Sequence, residues 1–222
     1  GLGDVYKRQD LNTYKKDEVV CLKVIVHVGP KGFQKVGHIC FAYDDIVYSY
    51  GNYDSDSFHL NQTIGDGIFF TVPLEKYIPN MISAENNSIF EYGIYTTSKQ
   101  NEMIEKEIEK IRQNGYRWYT KIEKEDGYDR FSEYEMDYPS RLHYRTGAKL
   151  YKVKSGKFHI YWALGDNCAS FTDLVLGTLG ADVLSIRGII SPGTYLDWLQ
   201  KEYLKKNSPI VFRRIYKEWD SK

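Results

Sequence analysis

The chain has 222 residues, of which 42% are hydrophobic and 27% charged, which fits one folded domain, with or without insertions, and excludes a disordered tail or a fibrous repeat. Its 30 Lys and Arg balance 30 Asp and Glu, so the basic excess that draws a protein to nucleic acid is missing and no nucleic-acid partner is expected. Three cysteines do not make a disulfide scaffold, although Cys21 and Cys40 could pair in an oxidising compartment, and no apolar run approaches the roughly 18–20 residues that span a bilayer.

The first nine residues, GLGDVYKRQ, resemble a translated sequencing adaptor and are set aside from the fold reasoning. The natural N-terminus, with any signal sequence or upstream domain, is then expected to lie outside this chain, which keeps export or secretion open. Residues 10–222 are read as a single domain.

Residues 18–29, rich in Val and Ile, predict a strand, broken by Gly29-Pro30-Lys31-Gly32. VGHICFAYDD and IVYSYGNYD predict a hairpin that turns at Asp44-Asp45. The polar stretch 54–67 reads as a loop, and strands are predicted at 68–72 and 90–96. Ser98 is placed as the cap of a helix over 99–114, with Ile104, Ile108 and Ile111 on one face and Gly115 as the stop. Residues 118–145 hold no period and predict an inserted loop or lid, so 98–148 as a whole reads as an insertion. Residues 150–153 and 157–163 predict a second hairpin around Ser155-Gly156. A helix then begins at Cys168, with the stripe Phe171, Leu174, Val175 and Leu179 and a terminal Gly180. Ser191-Pro192 opens another helix, with Tyr195, Trp198 and Leu199 on its inner face, and 209–216 predicts a last strand. The 20 tyrosines suit half-buried sheet surface.

Three residues carry chemistry. Cys168 lies where a predicted strand meets a predicted helix. The unpaired N–H groups and positive end of a helix N-terminus favour a thiolate and can bring a Cys pKa down to roughly 3.5–7.5. His38 follows Gly37 at a strand start and could serve such a thiol as general base. The hairpin register puts Cys40 opposite Ser49 and His38 opposite Gly51, so Ser49 shares a face with His38 and could orient its ring. Asn52 or Asp54 takes that place if a bulge shifts the register.

Gly-His opening a hairpin, VYSYG on its second strand and Asn-Cys opening a helix, in that order, resemble the circularly permuted papain fold. That superfamily includes NlpC-like cell-wall peptidases and lecithin retinol acyltransferase-like lipid enzymes. DNCASFTDLVLGTLGAD and the downstream SPGTYLDWL are similar to segments of bacterial effector-like amidases. The resemblance covers 18–72 and 157–200. It implies an α+β fold, an antiparallel sheet packed against helices, with the nucleophile Cys168 at a helix N-terminus, His38 as base and Ser49 as the third residue. Many relatives carry His, Glu, Asn or Gln where Ser49 stands, and a Ser orients an imidazole less strongly than a carboxylate.

The implied activity is hydrolysis of an amide, in a peptidoglycan stem or another peptide, through an acyl-enzyme. A peptide or cell-wall substrate and an inhibitory immunity-type partner go with it. The alternatives are a lipid acyl hydrolase or acyltransferase on the same fold, and a non-catalytic binding domain with a Tyr-rich cleft. No cofactor is expected. The histidines at 27, 38, 59, 143 and 159 form no HxxxH pattern and the cysteines no CxxC, so no metal is expected either.

Overall fold

The computed structural model describes residues 5–11, 20–28, 37–125, 132–179 and 191–218. Its frame is a nine-stranded sheet in the order β1-β11-β7-β2-β3-β4-β6-β9-β8, antiparallel at every pair. The strands are β1 (Val5–Leu11), β2 (Leu22–Val28), β3 (His38–Tyr43), β4 (Ile46–Gly51), β6 (Ile68–Pro73), β7 (Ser88–Ile94), β8 (Gly115–Trp118), β9 (Lys149–Val153) and β11 (Ile210–Glu218). A separate ribbon pairs β5 (Ile64–Asp66) with β10 (Ile160–Trp162). The fold is α+β, with helices on both faces of the large sheet.

Alternation along the strands sorts side chains into two cores. Leu22, Val24 and Val26 of β2, Ile39 and Phe41 of β3, and Tyr48 and Tyr50 of β4 face one way. They meet three helices: α2 (Ser98–Gln113), α5 (Cys168–Leu176) and α6 (Pro192–Tyr203). Ile25, Cys40, Ala42, Val47 and Phe70 face the other way, against α1 (Leu74–Ser83) and α4 (Tyr138–Thr146). Aromatic rings hold α5 in place. Phe171 stacks on Tyr50 at 4.9 Å and meets Phe158 edge-on at 5.3 Å, and each such pair adds about 0.5–1.5 kcal/mol beyond its buried area.

Several elements differ from the sequence reading. Residues 5–9, set aside there, belong to β1, whose backbone pairs along β11 from Val5↔Glu218 to Leu11↔Phe212. Helix α1 goes unpredicted because Pro79 lies inside it, and Pro ordinarily argues against a helix interior. Helix α2 is capped by Thr97, not Ser98, through a box with Gln100. The helix ends where Gly115 was placed as its stop. Asn114 is the C-cap, and Gly115 opens β8, where a Cβ would come within 2.8 Å of the Phe69 ring.

The stretch read as an insertion supplies α2 to one core, β8 to the main sheet, and α4 to the other core. The missing period over 118–145 reflects the short helix α3 (Lys121–Lys124) and α4, each too brief to show one. Residues 149–163 form no hairpin: β9 pairs with β6 and β8, and β10 with β5. Half-buried sheet surface undersells the tyrosines, since Tyr48, Tyr50, Tyr77, Tyr92 and Tyr195 are among the largest fully buried side chains. The predicted break at 29–32, the stop at Gly180 and residues 18 and 19 of the first strand lie outside the described residues.

Candidate active site

The β3–β4 hairpin turns at Asp44-Asp45, both with positive φ, and pairs Tyr43↔Ile46, Ala42↔Val47 and Phe41↔Tyr48. This is the register expected from the sequence. The pairing runs no further. β3 continues along β2 as far as His27↔His38, and β4 along β6 as far as Gly51↔Ile68. The two strands therefore part over 38–40 and 49–51.

Helix α5 meets the sheet at this opening. In an antiparallel ladder, hydrogen-bonded pairs alternate, so after Phe41↔Tyr48 the next falls to Ile39 and Tyr50. At this opening the Ile39 N–H lies close enough to the Cys168 thiol to favour its thiolate. The N–H groups of Cys168 and Ala169 at the start of α5 face the same sulfur. Asn167 sets that helix start. Its Oδ1 accepts from the N–H of Ala169 and Ser170, and its Nδ2 donates to Ala163 O at 3.0 Å.

On the opposite face of β3 and β4, His38 Nε2 lies 2.7 Å from Ser49 Oγ, and Ser49 Oγ lies 3.2 Å from Tyr53 Oη. Ser49 is fully buried. Asn52 and Asp54 are engaged elsewhere: Asn52 Nδ2 donates to Gln62 O, and Asp54 pairs with Lys152 at 2.7 Å. Thus His38 and Ser49 share one side of the sheet, α5 packs on the other, and the thiol reaches the seam between them.

Two glycines shape the place. Gly37 has φ +75°, and a Cβ there would sit 2.5 Å from His27 O, so the chain can enter β3 only without a side chain. At Gly51 a Cβ would meet the Tyr53 ring at 2.9 Å, so the missing side chain leaves room for that ring.

The electrostatics depart from the sequence expectation. Burial pushes the Cys168 thiol up to about 11, and the three N–H groups only moderate the rise. The helix terminus does not overcome desolvation for a residue 6% exposed. Burial also lowers the half-buried His38 to about 4. At neutral pH the resting pair is thiol and neutral imidazole.

Sequence reasoning did not find the residues beneath His38. His27, directly across on β2, packs its ring edge-on at 5.3 Å from His38 and lies 3.0 Å from Tyr77 Oη. Tyr77 in turn accepts from Cys40 Sγ at 3.7 Å. The available signal was the even spacing of His27 with the inward Ile25, but Tyr77 sits on the unpredicted α1. All three cysteines are free. Among the described residues no group of three or more His, Cys, Asp or Glu gathers as a metal site would require. No helix there is long and apolar enough to cross a membrane.

A cleft of about 280 Å³ lies beside α5, with Ile111, Val153, Phe158, Phe171 and Leu174 in its walls and Lys110 and Lys157 among its polar residues. Neither Cys168 nor His38 lines it. No family model, curated protein or solved structure matches the chain.

Proposed function

We propose that the chain is a cysteine hydrolase of the circularly permuted papain-like kind, cleaving an amide in a peptidoglycan stem or another peptide. The observation that supports this reading is the seam itself. A helix-opening thiol lies beside the N–H of the residue after His38, which favours its thiolate, while His38 Nε2 lies 2.7 Å from Ser49 Oγ.

The chemistry follows from that arrangement. In the tautomer whose Nε2–H donates to Ser49, Nδ1 is the basic nitrogen of the neutral ring, and this is the tautomer the mechanism uses. As Cys168 Sγ attacks the carbonyl carbon, its proton passes to His38 Nδ1, so the two charges form together inside the site. The carbonyl oxygen becomes an oxyanion, which backbone N–H groups at the start of α5 can stabilise. Collapse breaks the C–N bond, and His38 gives its proton to the leaving amine. Water, deprotonated by His38, then attacks the thioester and releases the acid with the free thiol.

The test is release of new amines from a muropeptide panel and from denatured proteins, with Cys168→Ala and His38→Ala as controls. Activity abolished by Cys168→Ala and lowered at least about a hundredfold by His38→Ala supports the proposal. Activity equal to wild type in Cys168→Ala would overturn it. A second reading, a lipid acyl hydrolase or acyltransferase on the same fold, would use the same thiol on an ester. Release of fatty acid from acyl esters without amine release would select it.

A further inference from the structure

The row of polar atoms that begins at His38 does not stop at Ser49. Tyr53, just past the end of β4, folds its ring back over Gly51, where a Cβ would come within 2.9 Å of the ring and 3.1 Å of its hydroxyl. The ring also stacks on Tyr138 of α4 at 5.8 Å and tilts against Phe70 of β6 at 5.4 Å. These contacts fix where the hydroxyl lies, 3.2 Å from Ser49 Oγ. Among the described residues, Ser49 Oγ has two hydrogen-bond partners, His38 Nε2 and Tyr53 Oη, and Tyr53 Oη has Ser49 Oγ. Ser49 is fully buried, so no solvent reaches its hydroxyl.

Nε2, Oγ and Oη in a row make two contacts, and each contact holds one hydrogen. Burial raises the Tyr53 hydroxyl well above its ordinary range and lowers His38 to about 4, so at neutral pH the phenol keeps its hydrogen and the imidazole carries one. If the ring hydrogen is on Nε2, it fills the first contact, and the Ser49 O–H must turn to Tyr53 Oη. If it is on Nδ1, the Ser49 O–H turns to Nε2, and the Tyr53 O–H fills the second contact. Both arrangements give the Ser49 hydrogen an acceptor. Without the Tyr53 oxygen only the second does. A sealed hydroxyl lacking its acceptor displaces such an equilibrium by roughly five- to a hundredfold.

We infer that Tyr53 is a positioning residue: its hydroxyl oxygen accepts the Ser49 hydrogen and so keeps available the His38 tautomer with Nε2–H and a basic Nδ1. A carboxylate or amide oxygen only accepts, and can hold Nε2–H by itself. A serine hydroxyl carries a hydrogen of its own, and holds Nε2–H without loss only where a third atom takes that hydrogen. Tyr53 is that third atom's residue, and Gly51 is the place left open for it. The tautomer stands on the geometry alone. Its consequence for turnover rests on the hydrolase reading, in which Nδ1 takes the Cys168 proton.

Proton–nitrogen correlation spectra of the isotope-labelled whole chain at neutral pH read which His38 nitrogen is protonated, with His38→Gln identifying the signals. Tyr53→Phe keeps the ring packed on Tyr138 and Phe70 and removes only the oxygen. The ratio of Nε2–H to Nδ1–H at His38 should fall at least about fivefold in this variant. Ser49→Ala/Tyr53→Phe should match Ser49→Ala alone, because Tyr53 then has nothing to act through. On an amide substrate, Tyr53→Phe should lower kcat at least about fivefold in the wild-type background and leave that of Ser49→Ala unchanged. A tautomer in Tyr53→Phe equal to wild type, or shifted towards Nε2–H, would overturn the inference. An equal loss of kcat in both backgrounds would also overturn it and leave Tyr53 a packing residue. The expected tautomer shift in a protein that cleaves no amide would sink the hydrolase reading and uphold this one.

Discussion

His38 and Ser49 are diagonal, not direct, neighbours across the β3–β4 hairpin. Continued past Phe41↔Tyr48, where the strands part, the register would place His38 opposite Gly51 and Ser49 opposite Cys40, yet His38 Nε2 lies 2.7 Å from Ser49 Oγ. The reach is short because Gly51 offers no side chain in between, and the Tyr53 ring, packed over Gly51, brings its hydroxyl to within 3.2 Å of the same Ser49 oxygen.

That contact orders a series of variants. Ser49→Ala should lower turnover by about tenfold, less than His38→Ala, because a neutral hydroxyl orients the ring but adds little to imidazolium stability. Asp54→Ala should leave turnover nearly unchanged, since Asp54 is paired with Lys152 and not with His38. Steady-state kinetics on an amide substrate of the proposed hydrolase checks this. An Asp54 loss as large as that of His38 would contradict the geometry. In wild type, kcat/KM should fall on acidification through about pH 4, where His38 takes up its proton.

Thiol labelling should reverse the order expected from a helix N-terminus. Alkylation needs thiolate and access. Cys168 is buried and pushed up to about 11, and Cys40 is buried and raised further, whereas Cys21 is partly exposed and its burial-driven rise is smaller. Iodoacetamide at pH 7.5 should modify Cys21 first, with mass-spectrometric mapping as the readout. Fastest labelling at Cys168 would show a thiolate stabilised in the free protein and refute the neutral resting pair.

Acid should destabilise the fold through two histidines. Burial lowers His38 to about 4 and His27 well below its ordinary 6.5. On acidification the unfolded chain takes up these protons first, so stability present above about pH 6.5 is lost as the pH falls towards the folded values. Part of the loss between pH 7.5 and 5 belongs to the buried His27. Urea midpoints at the two pH values should show a smaller drop in His27→Gln, which retains a polar group for Tyr77. An equal drop in both proteins would remove His27 from the account.

Gly37→Ala should cost about 1–3 kcal/mol, since the residue has φ +75° and a Cβ would lie 2.5 Å from His27 O. Relief requires moving the start of β3, which carries His38. The expected outcome is a lower urea midpoint together with reduced turnover in the fraction that stays folded. Stability and turnover both equal to wild type would show that the entry into β3 is not fixed by this glycine.

The hairpin turn at Asp44-Asp45 and its register were legible in the sequence, because alternation of side chains and turn chemistry are local. So were the starts of α5 and α6: Asn167 and Ser191 each cap through their own side chains. Local signals also put Ser49 on the His38 side. Tertiary structure alone decided the rest. Pro79 hid α1, and with it Tyr77 beneath His27. The parting of β3 from β4 depends on α5 meeting the sheet there, which no pattern in either strand encodes. The protonation of Cys168 turns on how much of the fold covers it: a helix terminus acts over one turn, whereas desolvation sums over every group that excludes water, and here it prevails.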